Sequence, residues 1–159
     1  MDLFEIDKEF KENIGELILT YSTVEFQIGT LASFIKKGKD SGSIDPNVIG
    51  LDLNEKLKIV RTKVKKNQNL LKKWEKLEGN LSTCNDFRRF ISHGIVSNHI
   101  PNPHLTGLIR AKRNGIIGFR IKKITSKDLA DHIKKIMDIN TGRNGVGVLI
   151  PEIKNWLSD

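Results

Sequence analysis

The chain is 159 residues long, with a formal net charge of +8 and 38% hydrophobic residues. That length suits one ordinary domain able to bury a core of its own, and that apolar content excludes a disordered polyelectrolyte. Cys84 is the only cysteine, which excludes an intrachain disulfide and a cysteine-pair zinc site and predicts a reducing, cytoplasmic setting.

The N-terminus, MDLFEIDKEF, is acidic and lacks the basic-then-apolar order of a secretory signal. Apolar runs are broken within a few residues by Glu25, Gln27 or lysines, so no membrane span is expected. In residues 8–37, Phe10, Ile14, Leu17, Tyr21, Val24, Ile28, Leu31 and Ile35 alternate steps of four and three, one side of a long helix. Acids in its first turns and Lys36 and Lys37 in its last complement the helix dipole, and Gly38 stops it. Residues 38–50 read as a loop by composition.

A second helix is expected over about 52–66, with Leu53, Leu57, Val60 and Val64 inward. After a turn at Asn67-Gln68-Asn69, a third helix is expected over about 70–93. Its stripe of Leu70, Trp74, Leu77, Leu81 and Cys84 makes Trp74 and Cys84 core residues, and Gly94 reads as its C-cap. Pro101 and Pro103 exclude helix in the next stretch. GLIRAK and IIGFRIK, within 107–122, read as short strands around an Asn114-Gly115 turn. Ser126 is the expected N-cap of a fourth helix over 127–139. Residues 140–147 break the chain again, and a short last helix is expected over about 150–157, starting at Pro151. The fold class is therefore mainly α: a four-helix up-and-down bundle with a small β-hairpin, about 106–123, inserted before the fourth helix, all in one domain over 1–159.

Charge is unevenly spread. Residues 1–16 hold six acids and two lysines, whereas residues 55–78 hold nine bases and three acids. Such a basic cluster attracts polyanions, nucleic acid first, and it is equally what a solvated helix face looks like.

Two charged residues interrupt apolar stripes. Extending the third helix's stripe places Arg88 and Ile91 inward, and a second stripe on the first helix (Ile14, Ile18, Tyr21, Ile28, Ala32) has Glu25 in its midst. A carboxylate and a guanidinium on apolar faces are natural partners. Such a pair fixes helix register or serves a site, and the residues alone leave both open.

The stretch Asn85-Asp86-Phe87-Arg88-Arg89-Phe90-Ile91-Ser92-His93-Gly94 resembles the Arg-x-x-x-x-His-Gly signature of the HEPN superfamily. A long first helix with an inward acid precedes it, and a hairpin and closing helix follow, so the likeness covers about residues 8–139. The resemblance implies a homodimeric helical bundle whose two signatures share a cleft. It implies RNA or a nucleotide as ligand, metal-independent endoribonuclease activity, and a toxin–antitoxin or phage-defence setting with an antitoxin or other defence protein as partner. Non-catalytic members of the superfamily serve instead as nucleotide- or partner-binding modules. Many members carry a small polar residue directly after the arginine, where this chain has Arg89.

The residue types suit that chemistry. RNA cleaves itself when a 2′-hydroxyl attacks the adjacent phosphate, which needs proton transfer near neutral pH and a fixed cation on phosphate. His93 is assigned the proton transfer and Arg88 the phosphate. Arg89, four residues before His93, is a further phosphate contact, with Asn85, Asp86, Ser92 and Glu25 as orienting or binding residues. No cofactor and no metal are expected. His93, His99 and His104 match no common zinc spacing, and the glycine-rich residues 142–147 lack the order of a phosphate-binding loop.

Overall fold

The computed structural model describes residues 8–38, 43–97, 105–111 and 117–159, with side chains described outside 93–123. The chain is mainly helical. The first helix, α1 (Lys8–Lys37), carries the predicted apolar stripe, and its end falls where the spacing predicts. Gly38 ends it at φ +82°, donating its N–H to the Phe34 carbonyl at 3.0 Å. Only glycine adopts that left-handed conformation without a Cβ penalty.

The segment read as loop contains a one-turn helix, α2 (Pro46–Ile49). Asp45 caps it by accepting from the Asn47 N–H at 3.0 Å, and Pro46 occupies the first turn, where its missing N–H costs nothing. The Asp45 N–H in turn donates to Ser33 Oγ at 2.6 Å, which ties the loop to α1. Helix α3 (Leu53–Val64) starts behind Asp52, whose carboxylate accepts from the Glu55 N–H at 2.9 Å. Asn67 does the same for α4 (Gln68–His93), accepting from Asn69 and Leu70. The expected turn is therefore the cap of the long helix.

Helix α4 does not close on Gly94. That residue opens a strand, β1 (Gly94–Ser97), which the sequence reading did not anticipate. β1 pairs antiparallel with β2 (Leu105–Ala111), and β2 pairs antiparallel with β3 (Ile117–Lys123), from Leu105↔Lys123 to Ala111↔Ile117. The strand order is β1-β2-β3. The expected Asn114-Gly115 turn, like Pro101, Pro103, His99 and His104, lies outside the described residues.

Helix α5 (Ser126–Thr141) is capped by Thr125, not by Ser126. Thr125 Oγ1 accepts from the Asp128 N–H at 3.1 Å, and the Asp128 carboxylate accepts from the Thr125 N–H at 2.8 Å. This reciprocal capping box puts the acid three residues after the cap, a match that Ser126 followed by Leu129 cannot make. Only a short turn separates α5 from α6 (Val146–Ser158), which starts earlier than expected and carries Pro151 in its interior. At Gly142 a Cβ would lie 2.3 Å from the Asp138 carbonyl oxygen, so the tight turn requires glycine there. That accounts for the glycine-rich sequence without a ligand.

The chain divides into two compact units, Met1–Thr20 with Thr83–Lys135, and Tyr21–Ser82 with Ile136–Asp159. In the first, the buried apolar residues are Phe10 and Leu17 of α1, Cys84, Phe87 and Ile91 of α4, and Ile124, Leu129 and Ile133 at α5. In the second, Tyr21, Val24, Ile28 and Leu31 of α1 are buried, as are Val60 and Val64 of α3, Trp74 and Leu81 of α4, and Leu149 and Ile153 of α6. Burying a side chain of this size contributes about 1.5–3 kcal/mol. An ion pair and a cation–π contact staple the second unit from outside: Lys73 of α4 to Glu152 of α6, and the Lys154 ammonium of α6 over the Phe34 ring of α1 at 5.3 Å. Among the described residues no helix is long and apolar enough to cross a membrane.

Candidate functional site

The signature residues occupy the last turns of α4, in the first unit. The buried stripe of α4 passes through Cys84, Phe87 and Ile91, with Phe87 only 6% exposed. Arg88 is half-buried at the margin of that stripe, which corrects the expectation that it takes an inward position. The reason is geometric: a strict seven-residue repeat drifts by about 20° per heptad on a 3.6-residue helix. The buried face has therefore rotated by the end of α4, and Phe87 falls on it.

The rotation turns the polar residues outward. Asp86, Arg89 and Ser92 are exposed and spaced by three, one face of the helix, and Asn85 is half-buried beside them. Arg89 precedes His93 by one turn. His93 is the last helical residue, at the negative end of the helix dipole, and its side chain lies outside the described residues.

One residue in this region escaped the sequence reading. The imidazole of His132, on α5, stacks on the Phe87 ring with centroids 3.5 Å apart and planes 14° apart. Its Nδ1 lies 2.9 Å from the Asp128 carbonyl oxygen, which can only accept. Nδ1 therefore carries a hydrogen, and in the neutral ring the lone pair sits on Nε2. The available signal was that position 132 lies three residues after Leu129 and four before Ile136, on the edge of the buried stripe of α5. Cys84, on the same stretch of α4, is buried, and that burial pushes its thiol above the ordinary cysteine range, against a smaller opposing effect of Lys135. It is an inert core thiol.

Glu25 belongs to the second unit, whereas Arg88 belongs to the first. Lys56 Nζ donates to Glu25 Oε1 at 3.1 Å. The Glu25 side chain is 23% exposed and that of Lys56 only 5%. The deeply buried charge is thus a lysine, one that composition had assigned to the basic cluster.

That cluster is sorted by the structure into two sets. Lys56, Arg61 and Lys73 are held by carboxylates, while Lys58, Lys63, Lys65, Lys66, Lys72 and Lys76 are exposed. Arg61 of α3 donates from one terminal nitrogen to Glu75 at 3.0 Å and presents Nε to Glu78 at 3.5 Å, across the turn that folds α4 back on α3. The hydrogen bond to Glu75 is the main reason the guanidinium holds its proton even more firmly than usual. Glu78 also accepts from the buried Trp74 indole N–H at 2.9 Å. Burial pushes the Glu78 carboxyl above the ordinary range, against the smaller opposing effects of Arg61 and Trp74.

Among the described residues no group of three or more histidine, cysteine or acidic side chains is placed to hold a metal ion. Comparison with family models, with curated proteins and with solved structures returned no match.

Proposed function

We propose that this chain is a HEPN-like RNA-binding domain, arranged as a four-helix up-and-down bundle with a hairpin insertion, and that its signature cleaves RNA without a metal. The reading is supported above all by the end of α4, where Asp86, Arg89 and Ser92 form an exposed polar face leading up to His93, Arg89 lies one turn ahead of that histidine, and Arg88 sits half-buried beside the face. Arginine there grips the phosphate with a planar charged fork. His93 moves the proton. The 2′-oxygen bonds to phosphorus as its hydrogen is removed, the bond to the 5′-oxygen breaks, and that oxygen takes up a proton. The products are a 2′,3′-cyclic phosphate and a 5′-hydroxyl. A homodimer bringing two signatures together completes the cleft, in a cytoplasmic toxin–antitoxin or phage-defence system with an antitoxin or other defence protein as partner.

The test is RNA cleavage by the purified chain in excess chelator, with end-group analysis. Activity is expected to persist, to leave cyclic phosphate ends, and to vanish in His93→Ala, while sedimentation shows a dimer. Activity that His93→Ala leaves untouched overturns the assignment. An alternative reading, a non-catalytic module binding a nucleotide or a protein, is favoured by Arg89, which stands where many catalytic members carry a small polar residue. Wild-type protein that binds RNA and cleaves none would establish it.

A further inference from the structure

Within the second unit, α3 and α4 border an open groove of about 520 Å³. Lys58, Arg61 and Thr62 line it from α3, Lys65 from the C-cap of that helix, and Glu78 and Ser82 from α4. The α3 residues recur at helical spacing, so one face of the helix forms one wall. Lys58 and Lys65 lie two turns apart, on the order of 10 Å along the axis, and both are exposed.

The second wall is fixed. Arg61 is tied to Glu75 and Glu78, and Glu78 is tied to the Trp74 indole, so the arginine and the acid hold each other. This leaves Lys58 and Lys65 as the cations at the mouth. Leu57 is the one apolar residue in the lining, and the rest is hydroxyl, amide or charge. Hot spots of protein interfaces centre on Trp, Tyr or Arg; this groove holds no aromatic residue, and its arginine is already tied to Glu75 and Glu78. A sugar–phosphate chain needs cations at intervals and polar groups for its hydroxyls, and Asn54 and Ser82 supply the latter.

We infer that the α3–α4 groove binds the backbone of single-stranded RNA, with one phosphate on Lys58 and another on Lys65. The inference builds on the RNA-binding reading above and assigns a site separate in sequence from the signature. Its probe is a fluorescein-labelled, fully 2′-O-methylated single-stranded RNA of mixed sequence. This probe has no attacking hydroxyl, so binding is read without cleavage.

The full chain is titrated by anisotropy over a range of salt concentrations, alongside two double variants that lose the same charge. Lys58→Ala/Lys65→Ala removes the groove lysines, and Lys63→Ala/Lys66→Ala removes two exposed lysines that do not line it. The groove variant is expected to bind at least tenfold more weakly, with a slope of log affinity against log salt shallower by about 1.4, the value for two lost phosphate contacts on a single strand. The control variant is expected to lose at most a few-fold. Equal losses in the two variants, no loss in the groove variant, or no binding by wild type would each overturn the inference. An acidic polypeptide that competes as well as RNA would overturn its RNA assignment. Loss of cleavage in His93→Ala with groove binding intact separates the fate of the signature from that of the groove.

Discussion

The ammonium of Lys56 lies 3.1 Å from the carboxylate of Glu25, and the lysine, not the acid, is the more deeply buried of the two. Gly29, one turn along α1 from Glu25, lies against the same lysine: a Cβ there would stand in ordinary contact with Lys56 Cε at 3.5 Å, and the tight neighbour would be Ile49 Cδ1 at 3.0 Å. A buried ammonium tolerates its surroundings only while the counter-charge is present.

Glu25→Ala is therefore expected to destabilise the protein by roughly 3–5 kcal/mol, because it strands a buried charge. Replacing both partners, as Glu25→Leu with Lys56→Met, is expected to restore most of the loss, since two apolar groups of similar volume need no counter-ion. Urea melts of the three proteins check this. A Glu25→Ala midpoint equal to that of wild type would show the pair to be idle.

Lys56 also shows where the sequence was legible and where it was not. Leu53, Leu57, Val60 and Val64 announce the inward face of α3, and all are buried. Position 56 lies on the same face, three after Leu53 and four before Val60, but a count of charges hides it among eight other bases. The long helices were readable because their apolar steps repeat many times: α1 ends where Gly38 stops the pattern. The one-turn α2 repeats nothing, and only Asp45-Pro46 marks its start. At Arg88 the pattern misled, because extending a strict repeat ignores the slow rotation of a buried stripe around a long helix. His132 was missed for another reason: its place at the edge of the α5 stripe was legible, but its partner was not. Stacking on Phe87 depends on how α4 and α5 meet, which no local spacing encodes.

The Thr125–Asp128 capping box gives α5 its first turn. Thr125→Ala is expected to cost about 0.5–2 kcal/mol, and Thr125→Ser much less, since serine retains the hydroxyl that accepts from the Asp128 N–H. Ser126→Ala, at the position first expected to cap, should change little. Thermal melts of the three variants rank them, and a loss in Ser126→Ala larger than in Thr125→Ala would contradict the assignment.

The stacked pair of Phe87 and His132 joins the helix that carries the signature to α5. A double-mutant cycle with Phe87→Leu and His132→Ala is expected to give a coupling of about 0.5–1.5 kcal/mol, the range for stacked rings beyond simple burial. Nitrogen NMR of the neutral ring should show the hydrogen on Nδ1, as its contact with the Asp128 carbonyl requires. Additive single losses together with an Nε2-protonated ring would remove His132 from any ordering role beside the signature.

Glu78 gives stability a pH dependence of defined sign. Its carboxyl is raised above the ordinary range, with burial as the main cause, and Arg61 and Trp74 compensate only in part. In the window between the ordinary carboxylate value and the raised one, the folded state binds more protons at this site than the unfolded state, so stability falls as pH rises through it. Below that window the acid is neutral in both states and the penalty is absent. Above it the penalty is complete. Glu78→Gln keeps an oxygen for the Trp74 indole and carries no charge at any pH. The variant is expected to match wild type in acid and to gain on it as pH rises through the carboxylate range, remaining at least as stable at neutral pH. Chemical melts at a series of pH values read this difference directly. If wild type instead gains on Glu78→Gln as pH rises, the attraction of Arg61 outweighs burial, and the buried carboxylate is a net support of the α3–α4 pairing.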